Sequence, residues 1–339
     1  MGAKLEEVSP LLPRRTRNLV WDWLLPCSLP PALILTSASL IRSNQHLMQP
    51  GVFPYPFLLV TIHCFCCSFL SGVLLLGKPS LFPARTDPDR QVGITLEYYA
   101  REILPIAACF AISLVSSNMA YKYCTVAFLQ MMKESNIVTI YLMSVAVGIE
   151  HFSLAQSMIL VSMVCATWTC VQGELHFSLF GFVLQASSSL AEAAKTILQS
   201  LALAHGSGAK LDPLSAVLII MPLCGLLLLM VIIFHHSVCE LSFVTLPNYQ
   251  QIVDLRSALA LNVANAFVLN VLIAMFLKIL SPVTYILTGN VKDIAIVVMS
   301  AVLMHDSISS LQVCGFSMQI TLVFMWSALK QLTKIEKPK

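Results

Sequence analysis

The chain has 339 residues, of which 57% are hydrophobic and only 11% are charged. Because an ordinary soluble domain carries about 25% charged residues, the 20 Lys and Arg and 17 Asp and Glu of this chain cannot cover the surface of a soluble fold of this length. The composition therefore excludes a soluble globular protein and indicates a membrane protein, while the small net charge of +3 does not indicate a nucleic-acid partner.

Continuous apolar runs bounded by Pro, Gly, Asn or charged residues predict ten transmembrane helices. In chain order they lie near 19–41, 53–76, 101–121, 125–148, 155–172, 176–204, 214–235, 257–279, 282–304 and 310–330. The runs do not alternate between apolar and polar residues, which disfavours membrane-spanning strands. The sequence thus predicts one all-α membrane domain over 19–330, flanked by the tails 1–18 and 331–339.

The two tails are predicted to be cytoplasmic. In the ten-span topology they share one side of the membrane, and most of the Lys and Arg residues outside the helices fall on that side, as the positive-inside rule requires. The first tail is short and contains acids, so we expect the helix near 19–41 to be retained rather than removed as a signal or import sequence. The longest loops, 77–100 and 236–256, are too short to be folded soluble domains.

Motifs for catalysis or cofactor binding are lacking in the sequence. The 11 cysteines lie mostly inside apolar runs, where cysteine behaves as a small hydrophobic residue rather than as a metal ligand or disulfide partner. No glycine-rich phosphate loop, metal-ligand spacing or nucleophile paired with a base occurs. We therefore expect no enzyme activity, no cofactor, no metal and no coupling to ATP within this chain.

Three lysines inside predicted helices, Lys133, Lys195 and Lys292, are the most informative residues. A lysine at the centre of a bilayer costs roughly 2.5 to 3.5 kcal/mol on insertion scales, so such residues mark functional sites by default. Lys133 and Lys292 have several apolar or small residues on both sides, so neither can easily extend its ammonium group to the membrane surface.

The segments around Lys133 and Lys292 match each other. Each has an acid, Glu134 or Asp293, directly after its lysine, within an apolar run. They are the fourth and ninth predicted helices, and a unit of five helices that occurs twice must cross the membrane in opposite directions. The sequence therefore predicts two inverted five-helix repeats around a central cavity, with the two lysines facing each other near the middle of the membrane. The repeats are about 19–172 and 176–330.

Facing lysines in a cavity suit an anionic ligand, and phosphate in particular, because an ammonium group binds phosphate as a point charge. Successive residues on a helix point about 100° apart, so we expect neither lysine to pair with the acid that follows it. For Lys195 two interpretations stay open, since it can pair with Glu192 one turn earlier or contact the substrate. Ser117 and Asn118 are weaker candidates, because such residues often join helices instead.

The sequence resembles a known family. The segment SPVTYILTGNVKDIAIVVMSAVLMHDSISSLQVCGFSMQITLVFMWSALK resembles the last two helices of the triose-phosphate translocator and nucleotide-sugar transporter branch of the drug/metabolite transporter superfamily. SSNMAYKYCTVAFLQMMKESN is similar to the third and fourth helices of that family, and LAEAAKTILQSLAL to the sixth. The resemblance covers about 20–330. It implies ten helices around a central cavity, cytoplasmic tails and antiport of a phosphorylated compound by alternating access.

The resemblance also assigns roles to individual residues. Lys133 and Lys292 match the two lysines that hold phosphate in plastid sugar-phosphate translocators. Ser117 and Asn118 match a threonine and an asparagine of the same site, where they would add hydrogen bonds. The plastid proteins have an arginine where this chain has Asp293, and the lysine-aspartate pair instead resembles an endomembrane subgroup related to nucleotide-sugar transporters.

The sequence thus predicts an antiporter that carries a nucleotide sugar or a related sugar phosphate across an endomembrane, with the Golgi favoured by resemblance. In this hypothesis the two lysines bind phosphate, and Glu134 and Asp293 tune the charge or contact the sugar. The expected partners are a phosphorylated small molecule and membrane lipid, and a homodimer is left open. The alternatives are a plastid-type triose- or hexose-phosphate:phosphate exchanger, and a non-transporting trafficking or assembly protein on the same fold.

Overall fold

The computed structural model describes the backbone of residues 19–87, 95–205, 212–237, 244–279, 282–303 and 306–336. The predicted tail 1–18 and the last three residues lie outside this description. Within the described ranges the chain is helical and contains no strand. The predicted all-α class is therefore confirmed for the part of the chain that the structure describes.

The helices follow the predicted order. They are α1 (Leu19–Leu47), α2 (Pro56–Gly77), α3 (Pro83–Thr86), α4 (Leu96–Tyr98), α5 (Leu104–Ala120), α6 (Val126–Glu134), α7 (Asn136–Ala146), α8 (Leu154–Gly173), α9 (Leu179–His205), α10 (Pro213–Ser237), α11 (Tyr249–Asp254), α12 (Arg256–Ile279), α13 (Pro282–Leu303) and α14 (Ser310–Glu336). A 3-10 turn at Pro79–Leu81 precedes α3, and a π-helical segment at Tyr99–Ile103 joins α4 to α5. Each predicted segment overlaps one of these helices, and α1 and α14 extend beyond their predicted ends by more than one turn.

One predicted helix is divided. The prediction of an uninterrupted helix over 125–148 is wrong, because the chain forms α6 and α7 with a one-residue interruption at Ser135. The Ser135 hydroxyl donates a hydrogen bond of 2.7 Å to the carbonyl of Met132. Serine side chains that bond back to the preceding turn compete with the helical ladder and bend helices. The interruption therefore has a local cause that a count of apolar residues does not detect.

Several helices are suited to a lipid environment. Six described helical stretches are long and apolar enough to cross a membrane. They are Pro56–Gly77, Leu96–Ala120, Leu154–Gly173, Pro213–Ser237, Arg256–Phe276 and Ser310–Lys330. The chain is therefore a helical membrane protein, and the ten-span topology stays a prediction, since α6 and α7 are each shorter than one bilayer crossing.

The helices of the two predicted halves pack against each other in pairs. α2 packs on α10, α8 on α14, α6 on α13, α5 on α9 and α1 on α12. In this comparison α6 and α7 together are the fourth helix of the first half, and α13 is the fourth helix of the second half. Exchange of the two halves then converts the α5–α9 pair into the α12–α1 pair, and it converts each of the other three pairs into itself. The inverted repeat remains a prediction, and this pairing is the pattern expected from a two-fold axis between the halves.

α8 and α14 approach each other closely at Gly315. A Cβ atom added at Gly315 would lie 2.6 Å from the sulfur of Cys170 and 2.8 Å from the carbonyl oxygen of Ala166. Small residues at helix contacts in membranes allow the backbones to approach closely and gain van der Waals contact. This contact holds together the last helix of each predicted half.

Candidate functional site

A polar cavity of about 320 Å³ lies between α1, α6, α7, α9 and α13. Its lining contains two lysines, three acids, two amides and one apolar residue. These are Ile41, Gln130, Lys133, Glu134, Asn136, Glu192, Lys292 and Asp293. The two lysines predicted to face each other therefore lie in one cavity, and so do both of the acids that follow them.

The interruption at Ser135 places the amino end of a helix at this cavity. Lys133 and Glu134 are the last two residues of α6, and Asn136 is the first residue of α7. All three line the cavity. The amino end of a helix carries unsatisfied N–H groups and a partial positive charge, which favours anions. At Ser135 this effect is opposed by the partial negative charge at the carboxyl end of α6, so the break brings polar backbone groups to the cavity without a clear net charge.

Lys133 and Lys292 have different partners. The ammonium nitrogen of Lys292 lies 2.8 Å from Oδ1 of Asp293. Within the part of the chain that the structure describes, Lys133 forms no ion pair, and the acids that act on it from farther away are Glu192 and Asp293. The first lysine thus keeps its ammonium group free for a ligand, while the second is already paired.

The ion pair of Lys292 contradicts one prediction. The expectation that neither lysine pairs with the following acid is wrong for Lys292, since the four-carbon stem of lysine is flexible enough to bring its ammonium group back to Asp293. It holds for Lys133, because the side chain of Glu134 is instead close enough to that of Asp293 to interact with it. The two matching segments therefore meet through their acids.

Two amides in the cavity lack hydrogen-bond partners. Nε2 of Gln130 and Oδ1 of Asn136 are buried and have no partner among the described residues. The Gln130 side chain is only 2% exposed, and an unpaired buried polar group costs about 1 to 3 kcal/mol. Unpaired amides in a charged cavity indicate a polar ligand that supplies the missing bonds.

The cavity includes residues that the sequence did not single out as binding residues. Gln130 lies three residues before Lys133 and so falls on the same face of α6, which is a signal present in the sequence. Asn136 lies three residues after Lys133 and carries the same signal, because an uninterrupted helix would also place it on that face. Glu192 was identified only as a partner for Lys195, and its place in the cavity depends on the packing of α9.

The other predicted site residues do not line this cavity. The ammonium group of Lys195 lies 4.4 Å from the centre of the Phe110 ring, a cation–π contact between α9 and α5. Asn118 donates a hydrogen bond of 2.8 Å to the carbonyl of Leu114 in its own helix, and Ser117 is half-buried one residue earlier. A substrate role for these three residues stays a prediction.

One end of the bundle is filled with buried apolar side chains beside the cavity. Ile41, which lines the cavity, packs against a buried apolar cluster that connects α1, α2, α6, α12 and α13. Members of this cluster include Leu47, Met48, Phe53, Phe128, Leu259 and Ile296. The Tyr55 hydroxyl donates a hydrogen bond of 2.9 Å to Gln251, and Lys122 donates one of 2.5 Å to the carbonyl of Pro54. These contacts tie the loops together above the cluster.

The opposite end has separate apolar groups. α1 and α12 share one group, the π-helical segment with α5 and α10 a second, and α7, α8 and α14 a third. Representative members are Leu33 with Phe276, Ile106 with Ile219, and Tyr141 with Trp326. The cluster beside Ile41 therefore connects five helices, whereas each of the groups at the second end connects two or three helical segments.

A buried acid joins the two predicted halves outside the spans. Glu174 follows α8, and its Oε2 accepts a hydrogen bond of 2.6 Å from the side-chain amide of Gln312, near the start of α14. Both residues are buried. Burial raises the pKa of Glu174, and the hydrogen bond from Gln312 opposes this shift. The contact is therefore sensitive to protonation.

Helical packing, apolar surfaces and a charged internal cavity together define a multi-pass membrane protein with an internal polar site. Residues 38–327 match the model of the Triose-phosphate Transporter family, so the chain belongs to that family. The family consists of transporters, and the predicted resemblance is confirmed.

Named relatives agree with this assignment, and a solved structure shares the fold. Two proteins of Arabidopsis thaliana, each named "Probable sugar phosphate/phosphate translocator", are 30% and 29% identical to this chain over 269 and 273 residues. The alignments cover 79% of this chain in both cases, and 76% and 75% of the relatives. A crystal structure with 13% identity shares the fold with a TM-score of 0.50, over 91% of this chain and 97% of the other.

Proposed function

We propose that this protein is an antiporter that exchanges a sugar phosphate for inorganic phosphate by alternating access. The observation that carries the proposal is the cavity in which Lys133, Lys292 and the unpaired amide of Gln130 converge. Ammonium and amide groups are donors that fit phosphate oxygens. The acids that line the same cavity are acceptors that fit sugar hydroxyl groups.

The size and lining of the cavity favour a sugar phosphate over the larger nucleotide sugar. Its volume of about 320 Å³ is near the lower end of the range for small-molecule sites, about 300 to 1,000 Å³. The described lining residues include no aromatic ring, on which a nucleobase would stack. The names of the Arabidopsis relatives point to the same substrate class.

Alternating access requires a cavity that opens to one side of the membrane at a time. The continuous apolar cluster beside Ile41 and the separate groups at the opposite end support a state that is closed on the side of the α1–α2 loop. With ten spans and cytoplasmic tails, this closed side is the one away from the cytoplasm. We propose the two inverted repeats as the parts that move relative to each other.

Counterflow in proteoliposomes tests the exchange. The purified full-length chain is reconstituted, and uptake of labelled glucose 6-phosphate is compared between vesicles loaded with phosphate and empty vesicles. We expect uptake that depends on internal phosphate. Uptake of a nucleotide sugar against an internal nucleoside monophosphate would instead assign that substrate class. Absence of uptake and of ligand-induced thermal stabilisation across both classes would favour a non-transporting protein on this fold.

The cellular setting is part of the proposal. We propose an endomembrane location, with the Golgi favoured over the plastid because Asp293 replaces the arginine of the plastid carriers. A fluorescent fusion imaged with organelle markers tests this location. We further propose that the chain acts as a carrier without enzyme activity, which is tested by recovering the substrate chemically unchanged after transport.

A further inference from the structure

The charge balance of the cavity does not suit an anion when all of its groups are ionised. The lining contains two lysines against Glu134, Glu192 and Asp293, so the net formal charge is −1. A phosphate monoester carries about −1.5 to −2 at pH 7. Like charges repel strongly in a cavity with low local dielectric. A phosphorylated substrate therefore requires a change in the charge of the cavity itself.

The position of that change is given by two carboxylates that lie close together. The side chains of Glu134 and Asp293 both line the cavity and lie near enough to interact with each other. Ionised carboxylates only accept hydrogen bonds, so a bond between two of them requires a proton on one. Carboxylate pairs that share a site lose their last proton with difficulty, because both cannot easily be charged together. One proton thus fits between these two residues.

The surroundings define how this pair is held. Lys292 contacts Asp293 at 2.8 Å, and the cavity also contains Lys133 from α6 and Glu192 from α9. The residue that α1 contributes to the lining is apolar, and Tyr121 lies close enough to Lys133 to interact with it. Lys292 therefore stabilises the negative charge that remains on the pair, while Lys133 stays available for the substrate.

A second observation separates this site from a mere group of acids. The Gln130 side chain is 2% exposed and lines the same cavity with its Nε2 atom unpaired. An unpaired donor is suited to a phosphate oxygen and not to a cation. The cavity therefore presents donors for an anion beside a carboxylate pair that has room for one proton.

We propose that Glu134 and Asp293 take up one shared proton when the phosphorylated substrate binds. The proton adds one positive charge to the cavity, which then has no net charge before the dianion enters. The inference rests on the proposed function and adds to it a coupling ion. Substrate affinity consequently falls as the pH rises, because the concentration of free protons in solution is lower.

Calorimetry in buffers with different ionisation enthalpies measures this proton directly. The full-length chain is titrated with glucose 6-phosphate at about pH 8 to 9, where the phosphate is a dianion because its second pKa is about 6. Any proton taken up then binds to the protein. We expect uptake of about one proton per bound ligand in the unaltered chain, in line with the linkage between binding and protonation.

Isosteric variants locate the proton. Glu134→Gln and Asp293→Asn should bind the ligand with no proton uptake, whereas Glu150→Gln, in an exposed pair with Lys330, should retain the full uptake. Thermal unfolding shows whether each variant folds. Two results would overturn this inference and leave the proposed function intact. One is ligand binding without proton uptake in the unaltered chain, and the other is proton uptake that persists in both cavity variants. Failure of both glucose 6-phosphate and inorganic phosphate to bind would overturn the proposed function and this inference together.

Discussion

The two segments that contribute a lysine to the cavity have similar sequences and different structures. The first is divided at Ser135, and Lys133 forms no ion pair with a described residue. The second is the continuous helix α13, and Lys292 is held by Asp293 at 2.8 Å. Two equivalent positions have thus become a free cation beside a helix end and a cation bound to an acid. Two segments with matching sequences therefore need not give their lysines the same role.

The largest expected effect comes from the free cation. Lys133→Gln removes a charged donor that no other described contact occupies, and a hydrogen bond to a charged group contributes about 1.5 to 3 kcal/mol. We expect a loss of about 10- to 100-fold in apparent substrate affinity, measured as counterflow in proteoliposomes. The unfolding temperature should change little. An effect on affinity no greater than that of Lys292→Gln would contradict the assigned difference between the two lysines.

The paired lysine should show a smaller effect that a second substitution relieves. Lys292→Gln leaves the charges of Asp293 and Glu134 uncompensated near the substrate, so we expect about a tenfold loss of affinity. The double variant Lys292→Gln/Asp293→Asn removes one of these charges and should recover part of the loss. Equal affinities of the single and double variants would show that the 2.8 Å pair does not control substrate binding.

Gln130 should separate substrate binding from stability. Gln130→Met preserves the size of the side chain and removes the buried amide whose Nε2 atom is unpaired. We expect the affinity to fall by about threefold and the unfolding temperature to rise, since an unsatisfied buried group costs about 1 to 3 kcal/mol. A fall in both quantities would instead identify Gln130 as a structural residue of α6.

The smallest effect concerns the contact between the halves outside the spans. Burial raises the pKa of Glu174, so its ionised form is disfavoured in the folded chain, and that cost is removed as the pH falls through the raised pKa. Relative to Glu174→Gln, the unaltered chain should gain stability as the pH falls through the raised pKa of Glu174, and none further below about pH 4.3, the ordinary value for Glu. Thermal unfolding across this range measures the difference. Parallel pH profiles of the two chains would contradict it.

The site was partly predictable from the sequence. Lys133 and Lys292 stand out because a buried charge is costly in lipid wherever it occurs, and Gln130 falls on the same helical face as Lys133. Asn136, three residues after Lys133, falls on that face as well. Glu192 required the structure, since its position relative to Lys133 depends on how α9 packs against α7.

The sequence by itself determined that the chain is a helical membrane protein, the order of its apolar segments and which charged residues lie within them. These properties follow from hydropathy along the chain, which is local. Only the tertiary structure decided that Lys292 binds Asp293, that Glu134 lies close to Asp293 and that Lys195 lies over Phe110. Such choices depend on distances between helices and on side-chain conformations, which a linear pattern does not specify.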